Sequence, residues 1–160
     1  MAVDMFLKLD DVKGESTDGA HAGEIDVLSW SWGMTQSGTS HGGGGGGAGK
    51  VSVQDLSLTK YVDAATPNLI KMCCNGKHFK TAVLTVRKAG ENPLEYLKIT
   101  MEEGLISSLT TGGSGGEDRL TETVSLNFSK YKLEYAPQKA DGSGAAAIEA
   151  AWNIAKNAPS

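Results

Sequence analysis

The 160 residues carry 15 basic and 19 acidic side chains, a net charge of -4, and 21 glycines against four prolines. Six of those glycines run consecutively from Gly42 to Gly47, which marks a loop and excludes the strict three-residue period of a collagen-like fibre. The acidic balance, without a basic run, argues against a nucleic-acid partner, and no apolar stretch reaches the 18 or more residues of a spanning helix. The length predicts one domain over residues 1–160 with a core of its own. Met1–Asp11 lacks a basic segment followed by an apolar one, so no secretory signal is expected and the cytosol is the default site. Cys73 and Cys74 are adjacent and have no third cysteine to pair with, so no disulfide framework is expected.

Alternation with period two, bounded by Gly, Asn and Asp clusters, predicts a mainly β chain. Met5–Leu9 is the first strand, followed by a polar loop over Asp10–Gly23. In Glu24–Ser37, Ile25 and Val27 occupy one face, then Leu28, Trp30, Trp32 and Met34 occupy the other. The same one-residue phase change runs from Val51 and Val53 to Leu56 and Leu58, and from Val124, Leu126 and Phe128 to Tyr131, Leu133 and Tyr135. Such a change moves the apolar side to the opposite face, at a bulge or where a strand bends from one sheet into another. Long strands of this kind build a bent two-sheet β-barrel.

Further strands are predicted at Thr81–Lys88, Leu94–Glu102 and Leu105–Thr110. One flanking α-helix is expected over about residues 66–75. Thr66 serves as its N-cap, Pro67 takes its first position, and Gly76 supplies a left-handed stop. Leu69, Ile70, Met72 and Cys73 form the face that covers the barrel. Ala145–Lys156 has high helix propensity, although Trp152 and Ile154 also alternate.

Motifs that imitate chemistry fail on context. Gly44–Val51 matches a phosphate loop through Lys50, but lacks the magnesium-binding hydroxyl and leads into a strand where that motif requires a helix. Gly112-Gly113-Ser114-Gly115-Gly116 matches the hydrolase elbow, yet a strand follows it and the last histidine, His78, precedes it. A hairpin loop is the simpler reading. His21, His41, His78, Cys73 and Cys74 lack ligand spacing, and Glu102 and Glu103 are expected on opposite strand faces. Neither a metal, a cofactor nor a catalytic residue is therefore expected.

Opposite the apolar positions lie Ser29, Ser31, Thr35 and Ser37, then Ser57 and Thr59, then Thr121, Thr123, Ser125, Asn127 and Ser129. An ordinary solvated sheet face also carries Lys and Glu, so a polar, uncharged face suits a surface that meets something without adhering to it. Plain β-propensity accounts for the same residues. Long strands leave open edges that pair with other chains, and a closed homo-oligomer would absorb them.

Met1–Phe6, Asp11–Ser16, Ile25–Gly33, Gly43–Lys50 with Val53–Leu56, Thr59–Asp63, Thr66–Leu69 and Thr111–Glu122 together resemble the haemolysin-coregulated protein (Hcp) family, across nearly the whole chain. The resemblance implies the tube subunit of a bacterial type VI secretion system, with a fold similar to phage tail tubes. It implies hexameric rings stacked into a tube inside a contractile sheath, with a spike protein, a baseplate and small effector proteins in the lumen as partners. Export would then need no signal peptide.

On that resemblance Ser29 and Ser31 are the candidate lumen contacts, because Trp30 and Trp32 turn the other way into the core. The loop over residues 38–49, with Thr39, Ser40, His41 and Gly42, Gly43, Gly44, Gly45, Gly46 and Gly47, is the candidate ring-stacking extension. The family pattern implies a strand over Trp152–Asn157, which is preferred there to the helix, and Ala145–Ala151 stays open. A monomeric adaptor, or a serine hydrolase using Ser114, is the alternative.

Overall fold

The computed structural model describes residues 3–38 and 49–160. In chain order the strands are β1 (Val3–Leu9), β2 (Ile25–Ser31), β3 (Met34–Thr35), β4 (Ser52–Val53) and β5 (Leu56–Tyr61). Helix α1 (Thr66–Asn75) follows, then β6 (Phe79–Lys88), β7 (Leu94–Thr111), β8 (Thr121–Tyr135), β9 (Ile148–Asn153) and β10 (Ala158–Pro159). Antiparallel pairing in the order β8-β5-β2-β1-β6-β7 closes on itself through β7 and β8, which gives the bent β-barrel with one flanking helix that the alternation predicts. Strands β9 and β10 extend beyond β8, and β3 pairs with β4 in a separate ribbon.

Leu7, Leu9, Ile25, Leu56, Leu58, Leu84, Ile99, Met101 and Leu126 are at most 1% exposed and form the barrel's interior. At about 25 cal/mol per Å² of apolar surface removed from water, this interior is the main stabilising term. Each apolar phase change has its own cause. Between Val27 and Ser29 the register with β5 slips by a bulge, after which Trp30 and Trp32 pack on the core. Leu28, at the bulge, and Met34 stay exposed, so they do not share the inward face expected of them. The change from Val53 to Leu56 is a strand break: β4 pairs with β3, and β5 crosses to β2 and β8.

In β8 the strand continues unbroken while its neighbour changes from β5 to β9. Tyr131 and Leu133 pack against the core, but Tyr135 is exposed. The two strands expected at Leu94–Glu102 and Leu105–Thr110 are a single strand, β7. Its bend passes through Glu103, with φ 51°, and Gly104. Glycine is required at 104 because a Cβ there would collide with the Asn127 carbonyl oxygen and the Phe79 ring. The left-handed backbone at Glu103 also breaks the simple alternation expected of Glu102 and Glu103.

Helix α1 ends at Gly76 in the left-handed conformation, φ 67°, as the stop predicts. Its start differs from expectation. Ala65 is the N-cap, without a side-chain cap, and Pro67 lies one position inside. The Thr66 hydroxyl is taken by other partners, accepting from the Asp63 amide at 3.1 Å and donating to Glu122 Oε2 at 2.8 Å. Leu69 and Met72 are buried, whereas Ile70 faces solvent. The C-terminal segment is not helical: β9 begins at Ile148, and 154–157 form a turn into β10. Ladder bonds to β8 over six residue pairs outweigh a propensity difference of tenths of a kcal/mol per residue.

Candidate functional site: a neutral hydroxyl wall

Strands β2, β5, β8 and the second half of β7 lie side by side, and their inward positions are filled by Ile25, Val27, Leu56, Leu58, Val124, Leu126 and Ile106. Alternation therefore sends the intervening residues outward. Register aligns them into two cross-strand rows. One is Ser31, Ser57, Ser125 and Ser108; the other is Ser29, Thr59, Thr123 and Thr110. Ser29, Ser31, Thr123, Ser108 and Thr110 are exposed, and Ser57, Thr59 and Ser125 are half-buried.

Every side chain in the two rows is a hydroxyl, which both donates and accepts a hydrogen bond and carries no charge. Rows about 4.8 Å apart from strand to strand make a continuous neutral surface. Charge appears only at its margins. At one end Asp55 accepts from Asn127 Nδ2 at 2.8 Å and Ser107 Oγ at 2.6 Å. At the other, the Arg119 guanidinium lies 3.7 Å from the Tyr61 ring centroid, a cation–π contact.

Ser29 and Ser31 thus belong to one surface with Ser57, Thr59, Thr123 and Ser125, and their neighbours Trp30 and Trp32 turn inward. Trp32 Nε1 donates to the Gln54 carbonyl at 2.9 Å, and its ring meets Tyr131 edge-on at 4.8 Å. Ser107, Ser108 and Thr110 of β7 complete the wall, although sequence reasoning left them out. Their run of hydroxyls was legible, but the slip between Ile106 and Ser108 that sets their outward phase was not. Thr39, Ser40, His41 and Gly42–Gly47 lie outside the described residues.

The imitated motifs are resolved by their surroundings. Lys50 leads to strand β4 and not to a helix. Ser114 sits in the connection between β7 and β8, where its Oγ accepts from the Gly116 amide at 3.4 Å, a local turn bond. His78 and Cys74 are exposed and Cys73 is half-buried. Among the described residues no group of three or more His, Cys, Asp or Glu side chains is placed to hold a metal ion, and no helix is long and apolar enough to cross a membrane.

The described residues form a closed antiparallel barrel that presents a neutral, four-stranded outer wall. Residues 6–135 match the family described as "Type VI secretion system effector, Hcp". Over 159 residues, 98% of each chain, the sequence is 64% identical to "Protein hcp1" of Pseudomonas aeruginosa. The crystal structure of Hcp1 from Salmonella typhimurium superposes with a TM-score of 0.83 at 43% identity, over 100% of both chains. A structure described as a type six secretion system protein superposes with a TM-score of 0.93 at 30% identity, over 99% of this chain and 100% of the other. The chain belongs to the Hcp family of type VI secretion proteins.

Proposed function

We propose that this protein is a secreted structural subunit whose copies close into hexameric rings, with the hydroxyl wall lining the lumen, and that the rings stack as the inner tube of a type VI secretion system. The observation that carries the reading is the state of the wall's two edges. Leu28–Ser31 of β2 and Leu105–Thr111 of β7 have no strand partner on their outer sides among the described residues. Unpaired edges seek partners, and two different edges on opposite sides of one sheet meet head to tail, which closes a ring when the rotation per copy divides a full turn.

Six four-stranded walls at about 4.8 Å per strand close a cylinder roughly 37 Å across, before strand tilt widens it. Side chains take several ångström from each wall, which leaves room for a folded domain of about 50 residues, whose radius of gyration is about 10 Å and diameter about 25 Å. Small effector proteins are the clients that fit this space, and a wall without charge lets them enter and leave. Ring stacking is assigned in this reading to the loop over residues 38–49, of which 39–48 lie outside the described residues. A contractile sheath surrounds the tube, a spike tips it, and a baseplate starts it. The subunit waits in the cytosol and leaves through this machine.

Electron microscopy of the purified protein tests the assembly. Uniform six-fold rings are expected, and Thr111→Pro, at an exposed position on the β7 edge, reduces them because proline blocks the addition of a strand there. A field of monomers from the unaltered chain at high concentration supports the adaptor reading instead.

A further inference from the structure

Loop residues 10–24 fold back over the outside of β1, where they cover Phe6, a 4% exposed ring outside the barrel's core cluster. His21 lies flat on that ring, with centroids 4.4 Å apart and planes 9° from parallel. Its Nδ1 is 2.9 Å from Glu24 Oε2 within the loop, and its Nε2 is 2.6 Å from Glu95 Oε1 on β7. An ionised carboxylate only accepts, and a neutral imidazole has only one N–H, so both contacts are hydrogen bonds only when the ring is the doubly protonated cation. Burial works against that cation, but the hydrogen bonds to Glu95 and Glu24 outweigh it and raise the imidazole's pKa above its ordinary value.

The other charged groups around this cluster are accounted for. Arg87 on β6 lies 5.1 Å from the Phe6 centroid and donates to Asp18 of the loop at 2.6 and 2.9 Å and to Asp4 of β1 at 3.2 Å. That second anchor keeps its charges on both sides throughout the range in which imidazole titrates.

We propose that His21 is a pH-dependent latch: as imidazolium it fastens the end of loop 10–24 to β7 over Phe6, and loss of one proton opens that fastening while the Arg87 anchor and the barrel hold. After deprotonation one carboxylate faces a lone pair. Glu95 is the group that leaves, because its side chain is 38% exposed against 15% for Glu24 and reaches water at little cost. The latch is closed below the ordinary imidazole pKa and opens as pH rises through the elevated folded value.

The test is an NMR titration of the intact protein between pH 5 and 9, reading the His21 ring carbons and the amide exchange of residues 14–24 corrected for intrinsic base catalysis. The expected result is a several-fold loss of protection in 20–24 that follows the His21 titration, with the β5 and β8 amides unchanged. Glu95→Gln, an exposed change that leaves the core untouched, shifts both the ring titration and the exchange transition to lower pH. His21→Gln shows the open level of exchange at every pH. Protection that is flat across the His21 titration, or a transition that survives in His21→Gln, overturns the latch.

Discussion

Lys60 Nζ lies 2.6 Å from Glu122 Oε2, with both side chains wholly excluded from solvent. The ammonium also donates to the Tyr61 carbonyl at 2.8 Å and Thr66 Oγ1 at 3.3 Å and lies 2.9 Å from Asp63 Oδ1 as a second ion pair, so a single cation ties β5, β8 and the start of α1 together. These two residues occupy inward positions in the rows Leu56-Leu58-Lys60 and Glu122-Val124-Leu126. A buried pair of this kind is costly to break from one side, because the remaining charge has no water.

Lys60→Met alone is expected to destabilise the fold by about 3–5 kcal/mol, and Lys60→Met with Glu122→Leu to recover most of that loss. Urea unfolding of the two variants measures this. A double variant no better than the single one assigns the loss to packing and not to the orphaned carboxylate.

Gly104→Ala places a methyl group against the Asn127 carbonyl and the Phe79 ring at the bend of β7, and a loss of about 1–3 kcal/mol is expected. Gly112→Ala, with nothing within 4 Å of the added atom, stays within about 0.5 kcal/mol of the parent. Thermal melts of the two side by side give the comparison, and equal shifts contradict the steric account.

Ser31→Lys puts a cation on the neutral wall at its β2 margin, clear of the core. Rings are expected to persist while the amount of effector co-purifying with them falls several-fold. Unchanged effector levels remove Ser31 from the lumen assignment.

Ser114→Ala is expected to leave ester and amide hydrolysis at the parent's background level, since among the described residues the Ser114 hydroxyl is engaged only by the Gly116 amide in its own turn. A drop in turnover restores the hydrolase reading.

The Arg87 anchor has its own pH signature. The hydrogen bonds from Arg87 hold the Asp18 carboxyl far below the usual carboxylate range, so its folded pKa lies under the unfolded value near 3.9. The contribution is then fully present above about pH 4 and is lost only as pH falls through the depressed value. The Asp18 carboxyl carbon shift, followed to pH 2, should show no midpoint near 3.9 in the parent and an ordinary one in Arg87→Met.

Much of the barrel was legible because period-two alternation is a local property of the chain. The apolar rows that end in Leu9, Val27, Leu58 and Leu126 mark their strands, and Gly76 marks the end of the helix. The phase changes in Glu24–Ser37 and Thr121–Tyr135 are likewise visible in sequence as places where a strand changes its surroundings. Helix propensity misled at Ile148–Asn153, where the ladder to β8 decides. The cap expected of Thr66 failed because its hydroxyl is claimed by Glu122, a residue 56 positions away.

The sequence by itself determined that the chain is made mainly of strands, that one part of their outward surface is rich in hydroxyls, and that its motifs match the Hcp family. Only the tertiary structure decided which hydroxyls are neighbours. Ser31, Ser57, Ser125 and Ser108 form a row because antiparallel register brings together residues far apart in the chain. The same holds for Lys60 with Glu122 and for His21 with Glu95. Pairing across a closed barrel depends on which strands meet and in what register, and a linear pattern does not encode either.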